Sequence, residues 1–162
     1  MDAKPPNDDF SLVNGGAELL DRVGPLWSQL RHHHADLSPR WRASLLATAF
    51  EERRTGLIDK GARGLLVSVA TTRCGQDIGY CVSTITGKGT GDVDSLYVVP
   101  SQRGRGVGDA LMSAAIDWFG GHSVGSIFVE VIEGNDAAQR FYARYGFLPR
   151  TARLLRFDGG VA

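Results

Sequence analysis

From Ala17 onward the apolar positions Leu19, Leu20, Val23, Leu26, Trp27, Leu30 and Leu37 recur at helical spacing. The pattern predicts one amphipathic helix to about Ala35, kinked or divided at Pro25, which removes a helical N–H. A short strand over residues 10–13, closed by Asn14-Gly15-Gly16, precedes it. Ser38-Pro39 has the chemistry of a helix start, a capping hydroxyl followed by a residue with no N–H to lose. The second helix carries Trp41, Leu45, Leu46, Ala49 and Phe50, and its charged end, Glu51-Glu52-Arg53-Arg54, is expected to face solvent.

The period then changes to that of strands. Residues 65–71 and 78–85 are rich in β-branched side chains and flank Arg73-Cys74-Gly75-Gln76-Asp77, a hairpin loop. The stretch 87–91 turns the chain into a strand bearing Val93, Leu96, Tyr97, Val98 and Val99, stopped by Pro100, which cannot donate to a ladder. Val107, Leu111, Ala114, Ala115 and Trp118 mark a helix ended by Gly120-Gly121. Residues 126–132 read as a strand, and Asn135 caps a helix bearing Ala138, Phe141, Tyr142 and Tyr145, ended at Gly146. Residues 147–157 close the chain as a strand divided at Pro149. The order predicts an α/β single domain over residues 10–157, with tails at 1–9 and 158–162: a mixed sheet with an antiparallel N-terminal part, a βαβ centre and helices on both faces.

Composition narrows the function. The chain of 162 residues is long enough for one full domain, and its 43% hydrophobic and 22% charged content is ordinary for a globular one. A net charge of zero argues against a nucleic-acid or acidic-membrane binder. Cys74 and Cys81 are too few for a disulfide scaffold and are expected as reduced thiols. No apolar run approaches the ~18 residues of a membrane span, and the polar N-terminal stretch lacks a signal core, so a cytoplasmic location is expected. His32, His33 and His34 are consecutive, about 100° apart on a helix, and cannot easily share one metal ion. His33 and His34 border the apolar stripe and read as packing or solvated residues.

The chemistry concentrates just past Pro100. Gly104, Gly106 and Gly108 alternate with Arg103 and Arg105 and lead into a helix. Glycine lets the main chain approach a ligand closely, and the unpaired N–H groups of a helix start attract phosphate oxygens. A dinucleotide fingerprint started at Gly104 ends on Asp109, and started at Gly106 it ends on Leu111, so neither fits. The one Gly-Lys pair, Gly87-Lys88, is followed by Gly89 where a Walker A loop needs Ser or Thr. What fits is Arg103-x-x-Gly106-x-Gly108, which together with its preceding strand resembles the pyrophosphate loop of the GCN5-related N-acetyltransferases (GNAT). The run Asn135-x-x-Ala138-x-x-Phe141-Tyr142-x-x-x-Gly146-Phe147 resembles a later segment of the same family.

That resemblance implies a GNAT-like domain that uses acetyl-CoA and no metal, and transfers the acetyl group to a primary amine by direct attack in a ternary complex. The alternative is a non-catalytic acyl-CoA-binding regulatory or interaction module. The implied partner is a small-molecule or peptide amine, with no nucleic acid or membrane; a homodimer is open, dimers being frequent in the family. By resemblance, N–H groups around Val98 and Val99 polarise the acetyl carbonyl and pair with the pantetheine arm. The amides of Gly104, Arg105, Gly106, Val107 and Gly108, with the Arg103 guanidinium, hold the pyrophosphate. Asn135 touches the pantetheine or serves only as a helix cap, and Tyr142 protonates the departing sulfur. The base is Glu130, on a strand face with Phe128 and Ile132, or Asp94, two residues before Leu96.

Overall fold

The computed structural model describes residues 9–156. β1 (Phe10–Gly15), β2 (Leu65–Thr72), β3 (Asp77–Ile85), β4 (Gly91–Val98) and β5 (Ile127–Val129) form one sheet in sequential order. The first four strands are antiparallel, and β5 joins β4 in parallel, as a crossover through a helix requires. This is the mixed α/β architecture expected.

The N-terminal helices are α1 (Leu20–Leu37), α2 (Arg42–Ala47) and α3 (Phe50–Lys60). Pro25 neither divides α1 nor ends it. It stands on the exposed side, where the Asp21 carbonyl that loses its partner is also at the surface, while Val23, Leu26, Trp27 and Leu30 pack inward. The predicted second helix is instead broken: Pro39–Trp41 makes a 3-10 turn, Ser38 gives no side-chain cap, and Thr48 and Ala49 are extended between α2 and α3. The break rotates α3, so that Glu51 and Glu52 face solvent as expected but Arg53 and Arg54 are half-buried. Arg22 ties α1 to the β2–β3 hairpin, donating to Asp77 Oδ2 at 3.0 Å and to Thr71 Oγ1 at 2.8 Å.

One sheet face is covered by α1 and α3, which bury Leu20, Leu26, Trp27 and Leu57 against Val67, Val69, Tyr80, Val82 and Tyr97. The other is covered by α4 (Val107–Gly120) and α5 (Asp136–Ala143), with Leu111, Met112, Phe119 and Tyr142 against Ile78, Cys81, Val93 and Val98. Close approach of α4 depends on missing side chains: a Cβ on Gly91 would lie 2.6 Å from the Phe119 ring. Val93 and Val98 are an odd number of residues apart yet share a face, because Asp94 is an extra residue. Val82 pairs with Ser95 and Ser83 with Val93, which leaves Asp94 in a bulge that resets the alternation.

The C-terminal end differs from expectation. β5 covers three residues of the predicted 126–132, and no strand forms over residues 148–156; Phe157 and the predicted tail 158–162, like residues 1–8, lie outside the described residues. Pro149 cannot donate, and Leu148, Leu154 and Leu155 are 78%, 92% and 72% exposed, so pairing there would bury little.

Candidate active site

β4 and β5 part company early. Their pairing runs from Gly91 with Ile127 to Val93 with Val129 and stops, while β4 continues along β3 to Val98. The Val99 N–H donates to Ile78 O at 2.9 Å, so the alternation of an antiparallel ladder turns the main-chain groups of Val98 and Leu96 the other way, into the gap. Of the two amides expected to meet a ligand here, that of Val99 is therefore committed to the sheet and that of Val98 is not. Leu96 joins it. The sequence carries the two-residue alternation but not its phase, which the β3 register sets.

At the end of β4 the chain makes a 3-10 turn over Pro100–Gln102 and enters the glycine loop. Gly104 and Gly106 have φ of 73° and 84°, a left-handed conformation that strains residues with a Cβ, and open space surrounds both. Gly106 is the N-cap of α4. Ala110 donates to Gly106 O at 3.0 Å, which leaves the N–H groups of Val107, Gly108 and Asp109 at the helix start without an intrahelical acceptor. Three consecutive amides at the positive end of a 14-residue helix form an anion receptor. Asp109, the one acidic side chain of that first turn, is paired with Arg144 Nη2 at 2.9 Å and accepts from Tyr145 OH. Arg103 folds back on the strand: its Nε donates to Val98 O at 2.9 Å and its guanidinium lies 5.5 Å from the Tyr97 ring centre.

Loop and gap open into one cleft of about 1220 Å³, which also receives Asp94, Glu130, Asn135 and Tyr142. Asn135 caps α5, its Oδ1 accepting from the Ala138 N–H at 3.1 Å. Tyr142 is 7% exposed and packed edge-on against Phe141 and Phe147. Burial raises its pKa well above the ordinary phenol value, so the hydroxyl stays protonated. Burial also pushes the neighbouring Cys81 thiol up to about 12, leaving it neutral and unreactive.

The two candidate bases are differently placed. The Asp94 carboxylate is 3% exposed; it accepts from Lys60 Nζ and from Thr84 Oγ1, each at 2.6 Å. Burial alone would depress Lys60, but Asp94 and Asp92 hold its pKa above the ordinary value, so its ammonium stays charged. Glu130 is exposed at the cleft wall. From the helical side come Arg53, His33 and His34. Burial, with Arg103 nearby, lowers the pKa of His33; burial, with His33 nearby, lowers that of His34; both rings are neutral at pH 7. No cluster of metal-ligating residues occurs among the described residues. Sequence reasoning missed Arg53, Ser95 and Leu96. Arg53 was hidden in a charge run whose orientation depends on the break at Thr48.

The site is thus a mixed sheet that splays beside a helix start with unpaired amides, with a buried phenol in the gap. Residues 27–147 match the acetyltransferase (GNAT) family, and the chain belongs to that family. It is 38% identical over 55 residues to an N-acetyltransferase of Streptomyces griseus, and 30% identical over 103 residues to a phosphinothricin N-acetyltransferase of Streptomyces coelicolor, 34% and 60% of this chain. These matches span 28% and 60% of the relatives' own lengths. The fold resembles the BH1408 protein of Bacillus halodurans, in a tetramutant form, with TM-score 0.70, 18% identity, and coverage of 90% of this chain and 98% of that one. It also resembles the aminoglycoside N-acetyltransferase AAC(6')-Iy in complex with CoA, with TM-score 0.62, 20% identity, and coverage of 94% and 95%. No helix of the described residues is long and apolar enough to cross a membrane.

Proposed function

We propose that the protein transfers an acetyl group from acetyl-CoA to a primary amine, the amine attacking the thioester directly while both substrates are bound. The observation that carries this reading is the continuity of one cleft from the loop amides at Gly106, past the outward-turned main chain of Val98 and Leu96, to Tyr142 and Glu130. The residues fit the co-substrate. Open glycines at Gly104 and Gly106, with the amides of Arg105, Val107 and Gly108, receive a diphosphate. The free strand edge pairs with the amide-bearing arm as another strand would.

At pH 7 an alkyl amine with a pKa near 10.4 must give up a proton at a cost of about 4.6 kcal/mol. Glu130, exposed in the cleft, takes that proton through water; Asp94 is less suited, because both its oxygens already accept. As nitrogen bonds to the carbonyl carbon, the oxygen gains charge, which the Val98 N–H stabilises. The carbon–sulfur bond then breaks, and Tyr142, kept neutral by burial, supplies the proton to sulfur. An assay with acetyl-CoA and a panel of amines, following free thiol, tests the reading. Tight CoA binding with no thiol release for any amine would replace it with an acyl-CoA-binding module.

A further inference from the structure

The helical wall of the cleft holds a further binding residue for the donor, on the reading of this cleft as an acetyl-transfer site. We infer that His33 of α1 closes over the donor's diphosphate from the side facing Arg103, and takes up a proton as that anion binds.

A short chain of contacts brings α1 to the glycine loop. The Arg103 guanidinium lies 5.5 Å from the centre of the Tyr97 ring, and the Tyr97 hydroxyl donates to Gln29 Oε1 at 3.5 Å. His33 stands one helical turn beyond Gln29, and residues four apart share a helix face. The imidazole therefore overhangs the end of the cleft where Arg103 leads into the glycines, and His33, Arg103, Gly104 and Gly106 all line it. Both side chains keep reachable donors. Arg103 is exposed and His33 partly so. Arg103 spends Nε on Val98 O at 2.9 Å, and its Nη groups have no acceptor among the described residues. Neither nitrogen of His33 has a hydrogen-bond partner among them, whereas His32 Nδ1 is bonded to Ser28 O at 2.8 Å. Arg31 is committed elsewhere: its Nε donates to Leu45 O at 2.9 Å and its guanidinium sits 4.4 Å over the Trp27 ring.

The charges around the ring keep it neutral in the free protein. On its own helix His33 meets Asp36 and His34, and across the cleft it meets Arg103, whose charge is not felt at His34. Ser44, Leu45 and Thr48, further along the same wall, carry no charge. Asp36 is 70% exposed and paired with Arg42 at 2.7 Å, so it offsets burial and Arg103 only in part. Asp109, in the first turn of α4, is held by Arg144 and Tyr145, and Glu130 stands away beside Asp94, where β4 and β5 separate. A diphosphate on the loop amides supplies the counter-charge that these acids do not. An anion beside a histidine favours its charged form, so the ring becomes an imidazolium and donates to a phosphate oxygen. The complex then holds more protons than the free protein, and affinity for the donor rises as pH falls.

The test is calorimetric titration with dephospho-CoA, in pairs of buffers of different ionisation enthalpy, from about pH 5.5 to about pH 8. The diphosphate of this probe is a diester that does not titrate near neutrality, so any proton taken up goes to the protein. Wild type should take up about half a proton or more per ligand near the ordinary histidine pKa, and bind about fivefold more tightly at the acid end of the range. His33→Gln should abolish both effects, and His34→Gln should keep them. His33→Arg, whose charge does not titrate, should show no uptake yet bind more tightly than His33→Gln at the alkaline end, a split that a merely structural role does not give. Absent binding, no uptake by wild type, uptake that persists in His33→Gln or is lost in His34→Gln, or His33→Arg binding no better than His33→Gln would each overturn the proposal. A thiol-release assay with acetyl-CoA separates this from the parent reading. Proton uptake without transfer to any amine sinks the transferase and leaves the His33 contact, whereas transfer without proton uptake sinks the contact and leaves the transferase.

Discussion

Asp94 and Glu130 are the first residues beyond the last β4–β5 pair, Val93 with Val129, so the two acids stand at the point where the strands separate. Their surroundings divide their roles. Glu130 is exposed in the cleft, whereas Asp94 is enclosed between Lys60 and Thr84 in the bulge.

Glu130→Gln should therefore lower kcat by about 100-fold or more while leaving thermal stability in place. Asp94→Asn should do the reverse first, losing about 1–3 kcal/mol because Lys60 loses the nearer of its two carboxylates and keeps only Asp92 at 3.4 Å. Steady-state kinetics and urea unfolding on both variants separate the two. An Asp94→Asn enzyme of normal stability and lost turnover would exchange the assignments.

Tyr142→Phe should reduce turnover by about 10- to 100-fold and leave CoA affinity within a factor of two. Stability should stay within about 0.5 kcal/mol, since among the described residues the hydroxyl has no hydrogen-bond partner to lose. Because burial raises the phenol pKa, no alkaline limb from this group is expected below pH 10 in wild type. Unchanged turnover in the variant would remove the phenol from the chemistry.

Gly106→Ala places a Cβ at φ 84° in the N-cap of α4. The strain is about 1–2 kcal/mol, relieved by rotating the loop amides, so on the proposed function CoA should bind about tenfold more weakly. Calorimetry at two salt concentrations reads this directly, and undiminished affinity would argue against the loop as the diphosphate site.

Arg22 and Asp77 give a test of the fold alone. Hydrogen bonding by Arg22 holds the Asp77 carboxyl below its ordinary range, so the stabilisation is complete above the unfolded value of about 3.9 and fades as pH falls through the lower folded value. Asp77→Asn should cost about 1 kcal/mol at pH 7, discounted for the partial exposure of both groups. The gap from wild type should close toward pH 2. A gap that persists in acid would mean packing, not charge, is what the substitution disturbs.

What the sequence made legible was whatever a local pattern controls. The glycine spacing around Gly106, the stop at Pro100 and the cap at Asn135 act through neighbouring atoms, and each is found where its pattern put it. What depended on distant partners was not legible. The phase that spends the Val99 amide comes from Ile78 on another strand, and the turn of Arg53 into the cleft comes from a helix break at Thr48 and Ala49 with no glycine or proline to announce it. The predicted last strand failed for the complementary reason: residues 147–157 have strand-like composition, but β5 is too short to offer a partner along their length.

The outward-turned main chain at Leu96 and Val98 has a consequence for how this protein can change over generations. A binding edge made of peptide groups is kept under almost any replacement of the side chains it bears, provided the strand survives. On the proposed function, drift along that stretch would erode the sequence signature long before it eroded attachment of the donor, and selection would be left free to remodel the helical wall.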